Sequence, residues 1–400
     1  MKQLRIALLV LLSCIAGLLT HQFLFCPRYQ FNPPRPFAGS HINNPYDSMD
    51  VRKWVKCNFH AHAHSWGGIT NGHGSADHVH RAYENLHYGV HCVSNYHNID
   101  TSNAKEVNYL SAYEHGYNML KTHQLVLGSK TVKWLDYLLP QTVHNKQHLL
   151  KTLRETGTVT ILNHPALRNG YTSEDLAQIV DYDCVEVLNP SVTSTAEWDA
   201  ALSAGRTAFI VGDDDIHDVI SKRRLGTRCT FVNVNSSSST EVLHALKTGK
   251  SYGVIVGARQ HYDSIPYLRS LTVRGDSIHV VMSTPAQMAS ITGQGGKLLV
   301  DFRNTARLSY RIKPTDHYAR ATFQYDNGTT VFLNPVYYSA PGGHVVPPVT
   351  ENFIETIFFR ILGVCSMLLW LWFGRWWMSP KPPTRGGQVK RRREDYVLQE

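Results

Sequence analysis

The sequence predicts an α/β body followed by a small antiparallel β domain, with a transmembrane helix at each end. Three observations predict it. Short apolar runs alternate with helical patterns from Trp54 to residue 225, strand-like runs take over after Gly226, and long apolar stretches occupy both ends. Repeating strand and helix units imply a parallel sheet with helices covering it, open or closed into a barrel.

At the N-terminus, Lys2 and Arg5 precede an apolar run from Ile6 to Phe25. Its length of about 20 residues suffices for one helical span. A cleaved signal peptide is the alternative reading. The run, however, continues past Cys14 in "LLSC", and no small-x-small cleavage site follows. The Pro- and Asn-rich stretch from Cys26 to Tyr46 reads as an extended linker, residues 26–53. The α/β unit then spans residues 54–225, with "WVKCNFHAH", "VHCVSNY", "TVTILNH", "DCVEVLN" and "TAFIVGDDD" as strands. Helices fall on "ADHVHRAYENLHYG", "HLLKTLRETG", "SEDLAQIV" and "TAEWDAALSAG". Residues 226–340 open with one more helix, "STEVLHALKTG", and continue in strands. Asn327-Gly328 separates two alternating runs there and predicts a hairpin turn. A second apolar span, residues 353–378, carries Arg360, Arg375 and several tryptophans suited to an interface, and the basic tail 379–400 follows. Positive charge outside both spans places the termini in the cytoplasm and the body on the extracytoplasmic side of a cell membrane.

Composition excludes several classes. The net charge of +9 owes much to "KRRRED", Lys390 to Asp395, so it is no argument for nucleic-acid binding by the body. No basic stripe with interleaved aromatics lies near the motifs, which also disfavours a nucleic-acid partner. The cysteines Cys14, Cys26, Cys57, Cys92, Cys184, Cys229 and Cys365 form no CxxC pair, hence no zinc knuckle. Histidine is the anomaly, at 22 residues, and imidazole is the commonest metal ligand.

The histidines fall in a pattern. His60 and His62 are two apart on a predicted strand, so both rings face one side. Asp215 and His217 repeat the arrangement at the end of the run after Thr207. Between them His97, Glu114, His123 and His164 each follow or end an apolar run. Ligands at successive strand ends would point into one mouth. His78, His80, His87, His91 and His115 read as structural, and Asp213 and Asp214 as a solvated turn beside the functional Asp215.

From Trp54 to Asp218 the chain resembles the PHP family, the polymerase and histidinol phosphatase superfamily. His60-Ala61-His62, His97, Glu114, His123, His164 and Asp215-Ile216-His217 stand in that family's order. Where the family usually has Thr-Asp-His after the second strand, this chain has Ser94-Asn95-Tyr96-His97. The resemblance implies a distorted seven-stranded β/α barrel, two or three divalent metals and phosphoester hydrolysis. It also implies a further ligand histidine soon after His62, for which His73 is favoured over His64. Glu114 and Asp215 would bridge or neutralise the ions, with Asp215, His217 and Glu114 at the chemistry. Metal coordination lowers the pKa of water from 15.7 to about 7 and clamps phosphoryl oxygens. A nitrogen-rich set suits Zn, Mn or Fe better than Mg. Arg168, Lys222, Arg223 and Arg224 are the candidate phosphate-binding cations. The expected ligand is a phosphorylated small molecule or a lipid head group. A metal-loaded binding module that lacks catalysis is the rival reading.

Overall fold

A computed structural model of the chain describes residues 2–70 and 72–379; apart from Ser379, the basic tail expected at 379–400 lies outside the described residues. In chain order the elements are α1 (Lys2–Leu19), β1 (Tyr29–Gln30), β2 (His41–Asn43), β3 (Trp54–Asn58), α2 (Ala76–Glu84), β4 (Val90–His91), β5 (Ala112–His115), β6 (Gln124–Leu127) and α3 (Val143–Arg154). Then come β7 (Val159–Leu162), α4 (Ser173–Gln178), β8 (Cys184–Leu188), α5 (Thr195–Ser203), β9 (Phe209–Gly212), β10 (Arg228–Asn233), α6 (Ser239–Thr248) and β11 (Ser251–Ile255). The rest are β12 (Leu268–Arg274), β13 (Ser277–Gly293), β14 (Lys297–Arg311), β15 (Tyr318–Gln324), β16 (Thr330–Leu333), β17 (Val336–Ser339), β18 (Thr350–Glu351) and α7 (Phe353–Met378).

The chain divides into two units, the terminal segments Met1–Phe25 and Ile354–Glu400, and the body Cys26–Phe353. The spans Gln3–Leu24 and Phe353–Met378 have mean hydropathies of 2.0 and 1.8 and are long enough to cross a bilayer. Within the terminal unit, Trp370 Nε1 donates to Ser13 Oγ at 2.9 Å. Gly363 lies so close to the Phe25 ring that a Cβ there would come within 2.6 Å of it. Small residues at helix contacts permit this kind of approach.

The body holds an 11-stranded sheet and a five-stranded sheet. The five-stranded sheet runs β5-β6-β7-β8-β9, antiparallel from β5 to β7 and parallel from β7 to β9. The loop 116–123 between β5 and β6 is too short for a helical crossover, so these strands pair as a hairpin. The larger sheet carries β11-β10-β3-β4 at one end, β3 pairing parallel with β4 and antiparallel with β10. The strands therefore do not close into the expected seven-stranded barrel. Isolated bridges, Ala61 to Ile216 and Tyr96 to Glu114, tie the two sheets at the strand ends.

Packing explains the helices. Alternate residues of the five-stranded sheet face opposite ways: Ile161 and Val211 join Cys57, Val90, Leu125 and Val232 in a cluster drawn from both sheets. Leu162, Val187 and Ile210 face Leu176 of α4 and Trp198 of α5 on the other side. Burial on both faces is what the continuous apolar runs imply.

Two expectations change. The boundary at residue 226 falls inside one sheet, since β10 and β11 join β3 to β16. The linker 26–53 is packed onto the body: Phe37 is fully buried, β1 pairs with β18 and β2 with β17. β14, Lys297–Arg311, pairs along β13 with a register shift between Val281 and Ala286. The Asn327-Gly328 turn stands as expected between β15 and β16, with Gly328 at φ 89°.

Candidate metal centre

The backbone brings the two short motifs together first. His62 N–H donates to Ile216 O at 2.8 Å, and His73 N–H to His217 O at 2.7 Å, so the HxH and DxH segments run side by side. Phe59 N–H donates to Asp213 Oδ1 at 2.6 Å, and Asp214 N–H to Asn58 Oδ1 at 2.8 Å. Asp213 and Asp214 are thus no solvated turn; both are fully buried. Asp214 accepts from the backbone N–H groups of Gly226, Thr227 and Arg228 and from the Tyr83 hydroxyl. Burial still lifts its pKa to about 6.

His60 and His62, following β3, turn their Nε2 atoms toward Glu114 Oε2, at 3.3 and 3.1 Å. The same two nitrogens lie 3.2 and 3.4 Å from Asp215 Oδ1. On the other side of the carboxylate, Glu114 Oε1 stands 2.8 Å from His123 Nδ1 and 3.6 Å from His164 Nε2. His217 Nδ1 is 3.4 Å from Asp215 Oδ1. Three groups result, each compact enough for one metal ion: His60, His62 and Glu114; Glu114, His123 and His164; His62, Asp215 and His217.

The donor set fits a divalent ion. His60 Nε2, both ring nitrogens of His62, Glu114 Oε2 and Asp215 Oδ1 are buried without a hydrogen-bond partner, although they stand within ion-pair distance of one another. Within each of the three groups the possible ligand atoms lie within 4.8 Å of one another. Orphaned buried polar atoms cost about 1–3 kcal/mol each, so five together call for a guest. Soft-to-borderline nitrogen with hard carboxylate oxygen is the donor chemistry of zinc, manganese or iron.

Electrostatics show the same strain. Burial opposes charge on His60, yet Asp215, Glu186 and Glu114 outweigh it and raise its pKa well above the ordinary value. Burial likewise works against Glu114, but His60 and His123 hold its carboxyl well below the usual range. His123 is pushed down to about 4 by burial, and burial also lowers His217. Two members of the cluster also have positive φ, His164 at 29° and Asp215 at 44°. Non-glycine residues in this region cost about 1–3 kcal/mol each and gather at functional sites.

Two expected ligands stay out. His97 Nδ1 faces Lys133 O at 3.1 Å and its Nε2 accepts from Gly116 N–H at 3.1 Å, so both nitrogens are taken. Its ring stacks on Trp134 instead. The chain turns at His97, whose φ is 47°, and Tyr96, bridged to Glu114 and stacked on His62, is the ring that faces the cluster. His73 has its side chain 78% exposed, with Asp218 as its acidic neighbour at 3.7 Å. Its backbone is beside His217, but its ring points to solvent; His64 is exposed as well. The candidate phosphate cations are exposed: Arg168 donates to Met119 O and Arg224 to Ser191 Oγ. Arg223 and Lys222 are exposed on the same loop.

Sequence reasoning missed four members. Tyr96 stacks on His62 at 4.8 Å and meets His123 edge-on at 5.4 Å. Burial and then the charge of Glu114 raise its pKa well above the usual value, so the phenol stays a neutral donor. Lys121 Nζ sits 5.8 Å from the Tyr96 ring centre. Glu186 pairs with His60 Nδ1 at 2.9 Å and accepts from His164 N–H at 2.8 Å. Asn189 donates to Asp215 Oδ2 at 3.2 Å. A signal for Glu186 was present: a lone acid inside the apolar strand "DCVEVLN". His115, read as structural, is so, with Gln124 and Leu135 O as partners.

Fold and site together define an α/β protein whose sheets meet around a buried cluster of imidazoles and carboxylates able to hold divalent metal. No protein-family model matches the chain, and no curated protein is similar to it in sequence. Among solved structures it is similar to a two-domain protein containing a predicted PHP-like metal-dependent phosphoesterase from Bacteroides vulgatus. That likeness has a TM-score of 0.42 and 12% identity, over 78% of this chain and 98% of the other.

Proposed function

We propose that the chain is a membrane-anchored, metal-dependent phosphoesterase of PHP type, holding two to three divalent ions. The observation that carries this reading is the shared Glu114 carboxylate, with imidazole pairs on each of its oxygens. His60, His62 and Glu114 would hold one ion, Glu114, His123 and His164 a second, and His62, Asp215 and His217 a third. Bound there, such ions supply positive charge to phosphoryl oxygens and acidify water.

The protein's own residues prepare the site. Glu186 fixes the His60 ring by its Nδ1 and so presents Nε2 inward. Asn163 donates to Glu114 Oε1 at 3.0 Å, and Asn189 to Asp215 Oδ2, and these bonds fix the orientation of both carboxylates. His217 alone in the set is partly exposed, its side chain at 31%, which supports substrate approach from its side of the cluster. Lys121, near the Tyr96 ring, takes over the phosphate-binding role first assigned to Arg168, Arg223 and Arg224. The substrate is a phosphorylated small molecule or lipid head group. The two apolar helices support a membrane location, with the body extracytoplasmic and both termini cytoplasmic by the charge rule.

The test uses the full chain in detergent, loaded with zinc, manganese or iron, and follows release from 4-nitrophenyl phosphate and bis(4-nitrophenyl) phosphate. Turnover is expected, and is expected to vanish with a chelator and with His60→Ala. A fully loaded protein that hydrolyses neither ester would overturn the reading; tight binding of a phosphate ester without turnover would favour a binding module.

A further inference from the structure

Away from the metal cluster, a cavity of about 590 Å³ opens over β3 and β10. Its walls include Trp54, Lys56, Phe231, Tyr262 and Tyr267. Strand alternation builds it. Val55 and Cys57 face the core shared by the two sheets, so Trp54 and Lys56 face the other side. The register of β3 with β10 sets Phe231 directly opposite Lys56. Phe231 in turn stacks on Tyr252, with ring centres 5.2 Å apart and planes at 14°. Trp54 meets Tyr252 edge-on at 4.6 Å. The result is a rigid aromatic wall with one ammonium in it.

Lys56 is the unusual member. It is 8% exposed, and burial lowers its pKa from the ordinary lysine value. Among the described residues its ammonium has the Tyr88 ring, 4.5 Å to the centre, and no hydrogen bond or ion pair. A cation against a ring recovers only part of the hydration that burial removes. The acid on the same wall, Asp263, is occupied by His87 at 2.8 Å, and Arg52 at the rim by Asp50.

We propose that this cavity is a second binding site, for a small organic anion carrying a flat ring. The anionic group meets Lys56 Nζ and the ring lies against the aromatic wall of Phe231 and Trp54. An anion supplies a charged acceptor where the protein offers the ammonium only a ring, and a flat ring matches a wall of flat rings. The site needs no metal and stands whether or not the cluster hydrolyses phosphate esters.

Isothermal titration of the full chain in detergent, with chelator present, tests it using 2-naphthoate and its neutral counterpart 2-naphthalenemethanol. Wild type is expected to bind naphthoate saturably at one site and the alcohol far more weakly. Lys56→Met should weaken naphthoate at least about tenfold, the scale of one charge-assisted hydrogen bond. Lys56→Arg should keep most of the affinity, and Phe231→Leu should lose it several-fold through the ring alone. Absence of saturable binding by wild type overturns the proposal. So does equal affinity of wild type and K56M, or equal affinity for the acid and the alcohol.

Discussion

At Glu114 a single carboxylate serves imidazoles on both of its oxygens, so its replacement should act on two metal positions at once. Glu114→Gln is expected to lose more metal than His60→Ala, measured by elemental analysis of the purified chain. His97→Gln and His73→Ala should keep the wild-type metal content, because one ring is fully hydrogen-bonded elsewhere and the other faces solvent. Glu186→Gln should weaken metal affinity by about 10- to 100-fold, as loss of a residue that orients a ligand ring commonly does. Two histidines outside the cluster set a pH dependence. Burial pushes His91 and His97 each down to about 4. Above pH 6.5 both are neutral folded or unfolded. As pH falls from 6.5 toward 4 the unfolded chain takes up protons that the folded chain refuses, so stability drops. The slope is about 1.4 kcal/mol per pH unit for each such proton. Between pH 7 and pH 5 the denaturant midpoint of the metal-free protein should fall less, or rise more, in His91→Phe than in the wild type.

Glu114 is held within the paired strand β5, whereas His60, His62, His164, Asp215 and His217 lie in the segments that follow strands. The segment after β9 is anchored at Asp214, which collects three backbone N–H groups and a phenol. Asp214→Ala would strand those donors in a buried place. A loss of about 3 kcal/mol or more is expected, read as a lowered melting temperature, with metal content falling because Asp215 and His217 follow directly. The aspartates were legible as a cluster but not as a buried one, since solvation of "GDDD" depends on what lies across from it. Helices α2 to α6 were legible in the sequence because their apolar spacing and caps are local; Ser75, Thr142 and Thr172 cap α2, α3 and α4 through their side chains. The pairing of β5 with β6, and the length of β14, were not, because both depend on which strand lies alongside.

Across the whole molecule, the body needs its flanks. Phe37 is fully buried beside Tyr318 and Tyr337, and β1 and β2 pair with strands from the far end of the body. A body cut at residues 26 and 352 is therefore expected to melt at a higher temperature than one cut at 43 and 339. The difference should be on the scale of a lost core phenylalanine, about 3–5 kcal/mol. Calorimetry of the two bodies decides it; equal melting temperatures would mean the packed segment contributes nothing.

The sequence by itself determined the residue types of the candidate metal cluster and their order along the chain, because two-residue alternation and chain order are local properties. It also determined the two apolar spans, which need only length and composition. Tertiary structure alone decided that Tyr96 turns toward the cluster and His97 away from it, that His73 faces water, and that β3 to β9 divide between two sheets instead of forming one closed barrel. Those outcomes depend on which backbone lies opposite which, and that is set by packing between segments far apart in the chain.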